Sequence, residues 1–175
     1  MAKKRFKVDI LSPSSVAQLK NELTQYKNSL SYKASELARL MAEAGVPVAR
    51  MNVAELDAIF TGELISSIHS AYVSSKKFGA VFCIVADSEH AMYVEFGTGI
   101  VGRSSPYPYP FPPGVKWDYA SGQTIRQLAD GRYGWFYERD GQVYFTEGMP
   151  SRPFMYNTAL DLVALVPKIA KGVFK

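Results

Sequence analysis

Only one of the 175 residues is a cysteine, Cys83, so no disulfide can close within the chain and a reducing compartment is the expectation. There are two histidines, His69 and His90, and neither stands at metal-ligand spacing with Cys83 or with a neighbouring carboxylate. No secretory leader is visible. The longest apolar runs, such as "FGAVFCIVA" at 78–86, fall well short of the roughly 20 residues a spanning helix needs, so no membrane association is expected. Also missing are a phosphate loop ending in Lys and Ser or Thr, and a G-x-S-x-G nucleophile elbow. "GTGIVG" at 97–102 reads as following a strand without opening a helix, which fails the context of the dinucleotide fingerprint. No catalytic constellation, cofactor or metal is therefore expected, and the chain does not read as an enzyme.

What is present is ordinary globular composition, 47% hydrophobic and 21% charged, at a length that predicts a single domain over residues 1–175. The formal charge of +4 sits in the first seven residues, where Lys3, Lys4, Arg5 and Lys7 stand without an acid. Setting those four aside leaves the other basic residues balanced against the 16 acids. Residues 1–11 read as a basic arm that could make weak contact with DNA phosphate, or as a solvated terminus.

The strongest periodic signal runs from "SPSSVAQL" to "AEAG". Val16, Leu19, Leu23, Tyr26 and Leu30 recur at steps of three and four, and Ala34, Leu37, Met41 and Ala44 continue the stripe. Ser12 as cap and Pro13 in the first turn predict the start, and Gly45 and Pro47 predict the end, after about 45 Å of helix. The stripe reads either as a core face or as a surface that partly meets another subunit. A second helix is expected in "TGELISSIHSAYV", capped by Thr61, with Leu64, Ile65, Ile68 and Tyr72 on one side. "GAVFCIVAD" predicts a buried central strand, and "AMYVEF" an antiparallel neighbour that shows Met92, Val94 and Phe96 on one face.

"GIVGRSSPYPYPFPPGVKWDYASGQ" cannot be a central strand, since its prolines lack ladder donors. It predicts an extended loop whose rings find little core. Tyr107, Tyr109 and Phe111 are either anchors for a partner or parts of a mobile segment. "SGQTIRQLADG" suggests a helical turn or two. "YGWFYERDGQVYFTEG" predicts a tight hairpin at Asp140 and Gly141. "PSRPFMYNTALDLVALVPKIAKGVF" closes the chain as a helix with Pro153 in its first turn and Met155, Ala159, Leu162, Val166 and Ile169 on its inner stripe. The expectation is an α+β fold: an antiparallel β-sheet packed by a long N-terminal helix and a C-terminal helix. Residues 99–149 form its Pro/Tyr-rich loop and β-hairpin insertion.

The order "TGELISSI", "AMYVEFGTG", variable loop, "PSRPFMYNTAL" resembles the neck and tail-completion proteins, or minor tail components, of long-tailed bacteriophages. The matching positions are Thr61, Gly62, Leu64, Ser67 and Ile68; Tyr93, Val94, Glu95, Phe96, Gly97 and Thr98; and Arg152, Pro153, Phe154 and Ala159. The resemblance spans roughly residues 14–172 and departs from the family at 100–149, where the loop and hairpin are longer. It implies a virion protein without catalytic activity that forms or joins a homo-oligomeric ring connecting head to tail. Its neighbours would be head-closure or connector proteins on one side and tail-terminator or tail-tube proteins on the other. Host cytoplasm during assembly and the head–tail junction afterwards would be its locations.

Within that frame Glu95 reads as a structural carboxylate, placed to bond Arg152 or the backbone amides that open the C-terminal helix. Two other readings stand beside this one. One is a nucleic-acid-binding accessory protein working through the basic arm. The other is a small enzyme using Glu95 as a general base, which would need a cleft and a paired acid or an oriented water.

Overall fold

The structure, a computed structural model, describes residues 5–58, 62–76, 79–119 and 125–175. Its elements in chain order are α1 (Pro13–Glu55), α2 (Glu63–Ser67), β1 (Ile68–Lys76), β2 (Gly79–Ala86), α3 (Ala91–Phe96) and α4 (Gly99–Ser104). There follow β3 (Arg126–Gln127), β4 (Tyr133–Arg139), β5 (Gln142–Thr146), β6 (Gly148–Met149) and α5 (Phe154–Val173). The fold is α+β, with a long N-terminal helix, a C-terminal helix and antiparallel sheet. It divides into two compact units. The first holds Met1–Pro47, His69–Val85 and Asp161–Lys175; the second holds Val48–Ile68 and Ala86–Leu160.

In the first unit α1 begins as its sequence predicts. The Ser12 carbonyl accepts from Val16 N, and the Ser12 hydroxyl lies 3.4 Å from Ser15 N as a side-chain cap. Further along, the helix lies on the two-stranded β1–β2 sheet, where Ala80 N donates to Ser35 Oγ at 2.9 Å. Gly45 does not end the helix. A Cβ there would lie 2.1 Å from Ile84 Cδ1 and 3.0 Å from Leu162 Cδ1, so its missing side chain is the space into which β2 and α5 pack.

Pro47 does not stop the helix either, and α1 runs 43 residues instead of ending near Gly45. The ring removes one bond to the carbonyl of Glu43, but both residues are exposed, so water can take that acceptor. Meanwhile the buried positions continue at helical spacing through Ala42, Gly45, Ala49, Asn52 and Val53. Burial of that face outweighs the two local breakers.

Several expected elements change type. "TGELISSIHSAYV" yields only the five residues of α2 before Ile68 turns into β1, because its second half is rich in residues that favour an extended chain. Thr61, the expected cap, lies outside the described residues, and Gly62 (φ 76°) takes the N-cap position. β2 forms as expected but pairs only with β1 among the described residues, so it is not a central strand. "AMYVEF" is the helix α3 and not a strand. Ala91, Val94 and Glu95 point inward at the i, i+3, i+4 spacing of a helix, while Met92 and Tyr93 are exposed. Ser88 starts the turn, its carbonyl accepting from Ala91 N and its hydroxyl from His90 N.

In the second unit β3, β4 and β5 form a three-stranded antiparallel sheet. The strand β3 stands where a helical turn was expected; Arg126 and Gln127 pair with Gly134 and Tyr133. The hairpin forms as read, with Arg139 opposite Gln142 and positive φ at both Asp140 (52°) and Gly141 (74°), the backbone of a type I′ turn. The 99–149 insertion opens with α4 and not with extended chain. "GTGIVG" thus opens a short helix, but it follows a helix and not a strand, so the dinucleotide context still fails.

On α5 the inward positions are Phe154 and Thr158, with Leu162, Leu165 and Ile169 half-buried, whereas the expected Ala159 and Val166 are exposed. Leu162 and Ile169 fall on the inner stripe as expected, while Phe154, Thr158 and Leu165 take the places expected of Met155, Ala159 and Val166. Pro167 sits inside α5 without ending it.

Candidate functional site: a carboxylate-capped helix joint

The second unit's core centres on Phe154, Ile68, Val53 and Thr158, the largest fully buried side chains of the described chain. Around it lie the ends of two long helices, and each end needs partners for its unpaired backbone groups. Pro153 is the N-cap residue of α5, its carbonyl accepting from Asn157 N, and it brings no side-chain acceptor of its own. Glu95 supplies one from α3. Its Oε2 accepts from Met155 N at 2.9 Å and its Oε1 from Tyr156 N at 3.2 Å. Phe154 N turns back to the Arg152 carbonyl at 2.8 Å, so all four leading amides of α5 are bonded. The backbone-amide alternative for Glu95 is the one realised.

Arg152 is engaged elsewhere. Its Nε donates to the carbonyl of Leu56 at 3.0 Å, at the C-terminal end of α1, where a cation suits the helix dipole. That end closes with Asp57 in the left-handed region (φ 51°), Asp57 N on the Ala54 carbonyl and Ala58 N on the Val53 carbonyl. This is a Schellman arrangement with aspartate in the place glycine usually takes. Arg152 N also donates to the Val94 carbonyl at 2.8 Å, and Ser151 Oγ to the Glu95 carbonyl at 2.7 Å. Asn52 Nδ2 reaches Thr158 Oγ1 at 3.1 Å in the buried layer between α1 and α5.

The glycines after Glu95 are there for close approach of backbone. Gly97 (φ 80°) would put a Cβ 2.7 Å from Ser151 N, and Gly99 (φ 66°) one 2.3 Å from the Glu147 carbonyl oxygen. Thr98 and Gly99 bridge to Met149 and Gly148, and Thr98 Oγ1 accepts from Met149 N at 3.3 Å. "EFGTG" and "GMPSRPF" are thus laced together residue by residue.

The Pro/Tyr segment closes this joint and does not stand away from it. Tyr107 is buried at 7% exposure, and Phe96 meets Tyr107, Phe111 and Trp117 at ring-centroid distances of 5.0, 5.4 and 5.2 Å. Tyr109 stacks on Tyr156 at 3.7 Å, Tyr107 N donates to Tyr119 Oη, and Trp117 Nε1 donates to the Gly97 carbonyl. Of the three expected partner anchors, Tyr107 is a core residue and Tyr109 is half-buried; Phe111 alone keeps an exposed edge. Sequence reading missed this because the rings' core is made by Phe96, expected on a strand, and by Tyr156, on an element far away in the chain.

Comparison with protein-family models, curated proteins and solved structures finds no match to this chain. The chemistry of the joint is therefore read from its own geometry. Glu95 is 7% exposed, and burial is the largest influence on its carboxyl, raising it above its ordinary value against the opposing pull of the Met155 and Tyr156 amides and the Tyr107 hydroxyl. The Tyr107 phenol is pushed up to about 12, first by burial and then by the adjacent Glu95 charge. Each carboxylate oxygen accepts from a helix amide, an arrangement that holds the start of α5. Among the described residues no cluster of three His, Cys, Asp or Glu side chains could hold a metal, and no helix is long and apolar enough to cross a membrane. Arg5 and Lys7 are exposed; Lys3 and Lys4 lie outside the described residues.

Proposed function

We propose that this chain is a structural subunit of the head–tail junction of a long-tailed phage, a neck or tail-completion protein that joins a ring with copies of itself between connector and tail proteins. The observation that carries the reading is the joint itself. Of the three stretches on which the family resemblance rests, "YVEFGTG" and "SRPFMYNTAL" are bonded to each other through Glu95, Arg152 and Ser151, and "GELISSI" belongs to the same unit, with Ile68 fully buried.

A second support is uncovered apolar surface. Val163 is 69% exposed, and Tyr72 and Val73 of the same unit are also open, apolar side chains that a neighbouring subunit would cover.

The test is electron microscopy of lysates from phage carrying an early stop codon in this gene, with plasmid complementation as control. Filled heads accumulating apart from tails, rescued by the plasmid, are expected. Normal tailed particles would remove the head–tail assignment.

A further inference from the structure

Within α1, the apolar positions from Val16 to Leu30 advance by three, four, three and four, a repeat of 3.5 and not 3.6. Val16, Leu23 and Leu30 take position a of a heptad, Leu19 and Tyr26 position d. The helix beyond Leu30 lies on β2, but here Val16 is 46% exposed, Leu23 45%, Tyr26 40% and Leu30 38%. Phe6 of the N-terminal arm meets Tyr26 edge-on with 6.2 Å between ring centroids, and Leu19 is half-buried.

A groove of about 350 Å³ lies along this seam, lined by Val16, Leu19, Lys20, Leu23, Thr24 and Lys27. Val16, Leu19, Lys20 and Leu23 stand at i, i+3, i+4 and i+7, the four corners of a hole that receives one side chain from a facing helix.

The charges beside the seam select the occupant. Glu22 is at position g, and Lys20 and Lys27 are at position e. In a parallel pair of identical helices a g residue faces the e residue of the next heptad on the other helix, which sets Glu22 against Lys27 twice by symmetry. In an antiparallel pair g meets g and e meets e, so Glu22 would face Glu22 and lysine would face lysine. We infer that residues 16–30 of α1 are a self-association surface on which a second copy of this chain docks its own α1 in parallel, with Leu19 of that copy entering the Val16–Leu19–Lys20–Leu23 hole. The same surface is used on both copies, so the pairing is isologous and closes about a two-fold axis. The heptad and its charges carry this pairing whether or not the chain serves a head–tail joint.

The experiment is sedimentation equilibrium of the full chain, joined to thiol cross-linking. The wild-type chain should self-associate. Glu22→Lys should weaken it about tenfold by replacing attraction with repulsion across both pairs, and Glu22→Lys/Lys27→Glu should restore it. All these positions are on the helix surface, so circular dichroism should stay unchanged. In a Cys83→Ser background, Val16→Cys alone should form a disulfide-linked dimer on mild oxidation, since only parallel pairing brings position 16 to itself. A chain that stays monomeric at all concentrations would overturn the inference. So would a charge swap that fails to restore association, or cross-linking of Val16→Cys to Leu30→Cys in place of itself.

Discussion

Replacing Glu95 by glutamine keeps the side chain's size but leaves one oxygen for two helix amides, so one of Met155 N and Tyr156 N must face an NH2 group. The expected cost is about 1 to 3 kcal/mol of stability near neutral pH, read by urea unfolding. The pH dependence carries a second prediction. Burial raises the folded Glu95 carboxyl above its ordinary 4.5, so between the unfolded and folded values the folded chain binds more proton than the unfolded one. Stability from this group is complete below the unfolded value and is lost as pH rises through the folded one. Glu36 and Asp130, held low by Arg39 and by Arg132, act in the opposite sense but are common to both proteins and cancel in the difference. The gap between wild type and Glu95→Gln should therefore narrow as pH climbs above about 4.5. A gap that widens would mean that the amide bonds outweigh burial. The sequence suggested the role of this residue better than its setting: a lone acid between an apolar run and two glycines marks an acceptor, but nothing local says that its partners lie 60 residues away. Arg152 was legible as a joint residue and illegible as the cap of α1, because the end of α1 was itself misplaced.

At the scale of elements, signals that depend on neighbouring residues were readable and those that depend on tertiary burial were not. Asp140–Gly141 forces its turn by positive φ, and Ser12–Pro13 starts α1 by capping, each within a few residues. "AMYVEF" fits a strand by alternation and a helix by i, i+3, i+4 equally well; six residues hold too little pattern, and the docking of Glu95 and Val94 onto α5's start decides it. Gly45 reads locally as a helix stop, but its role is to admit Ile84 Cδ1. This gives a sign reversal to measure. Gly45→Ala gains about 1 kcal/mol of helix propensity but places its Cβ against that methyl, at an overpacking cost of about 1 to 3 kcal/mol, for a net loss. Ile84→Val deletes the methyl. In that background Gly45→Ala should become neutral or stabilising by thermal or urea unfolding, and an equal loss in both backgrounds would place the clash elsewhere.

For the whole molecule, charge separates two jobs that one chain could hold. The body carries as many acids as bases, so the net excess of positive charge that would attract nucleic acid sits at Lys3, Lys4, Arg5 and Lys7. If all four neutralise phosphates of duplex DNA, the logarithm of affinity should fall against the logarithm of salt with a slope of about −3 to −4 for one chain. Replacing Lys3, Lys4, Arg5 and Lys7 by glutamine, which keeps Phe6 on Tyr26, should abolish both binding and slope while leaving unfolding unchanged, because the core lies in Ile68, Val53, Thr158 and Phe154. Assembly changes the magnitude and not the source. Copies set around one duplex would each lend an arm, so the slope should steepen with the number of arms engaged, and affinity should rise by effective concentration without any new contact. Measuring the slope below and above the concentration at which the chain self-associates therefore tells the two jobs apart. An accessory protein that binds DNA as one chain keeps a slope near that of four charges throughout. A ring subunit encircling DNA shows a steeper slope only once assembled, and a shallow slope in both states would assign the arm to solvent.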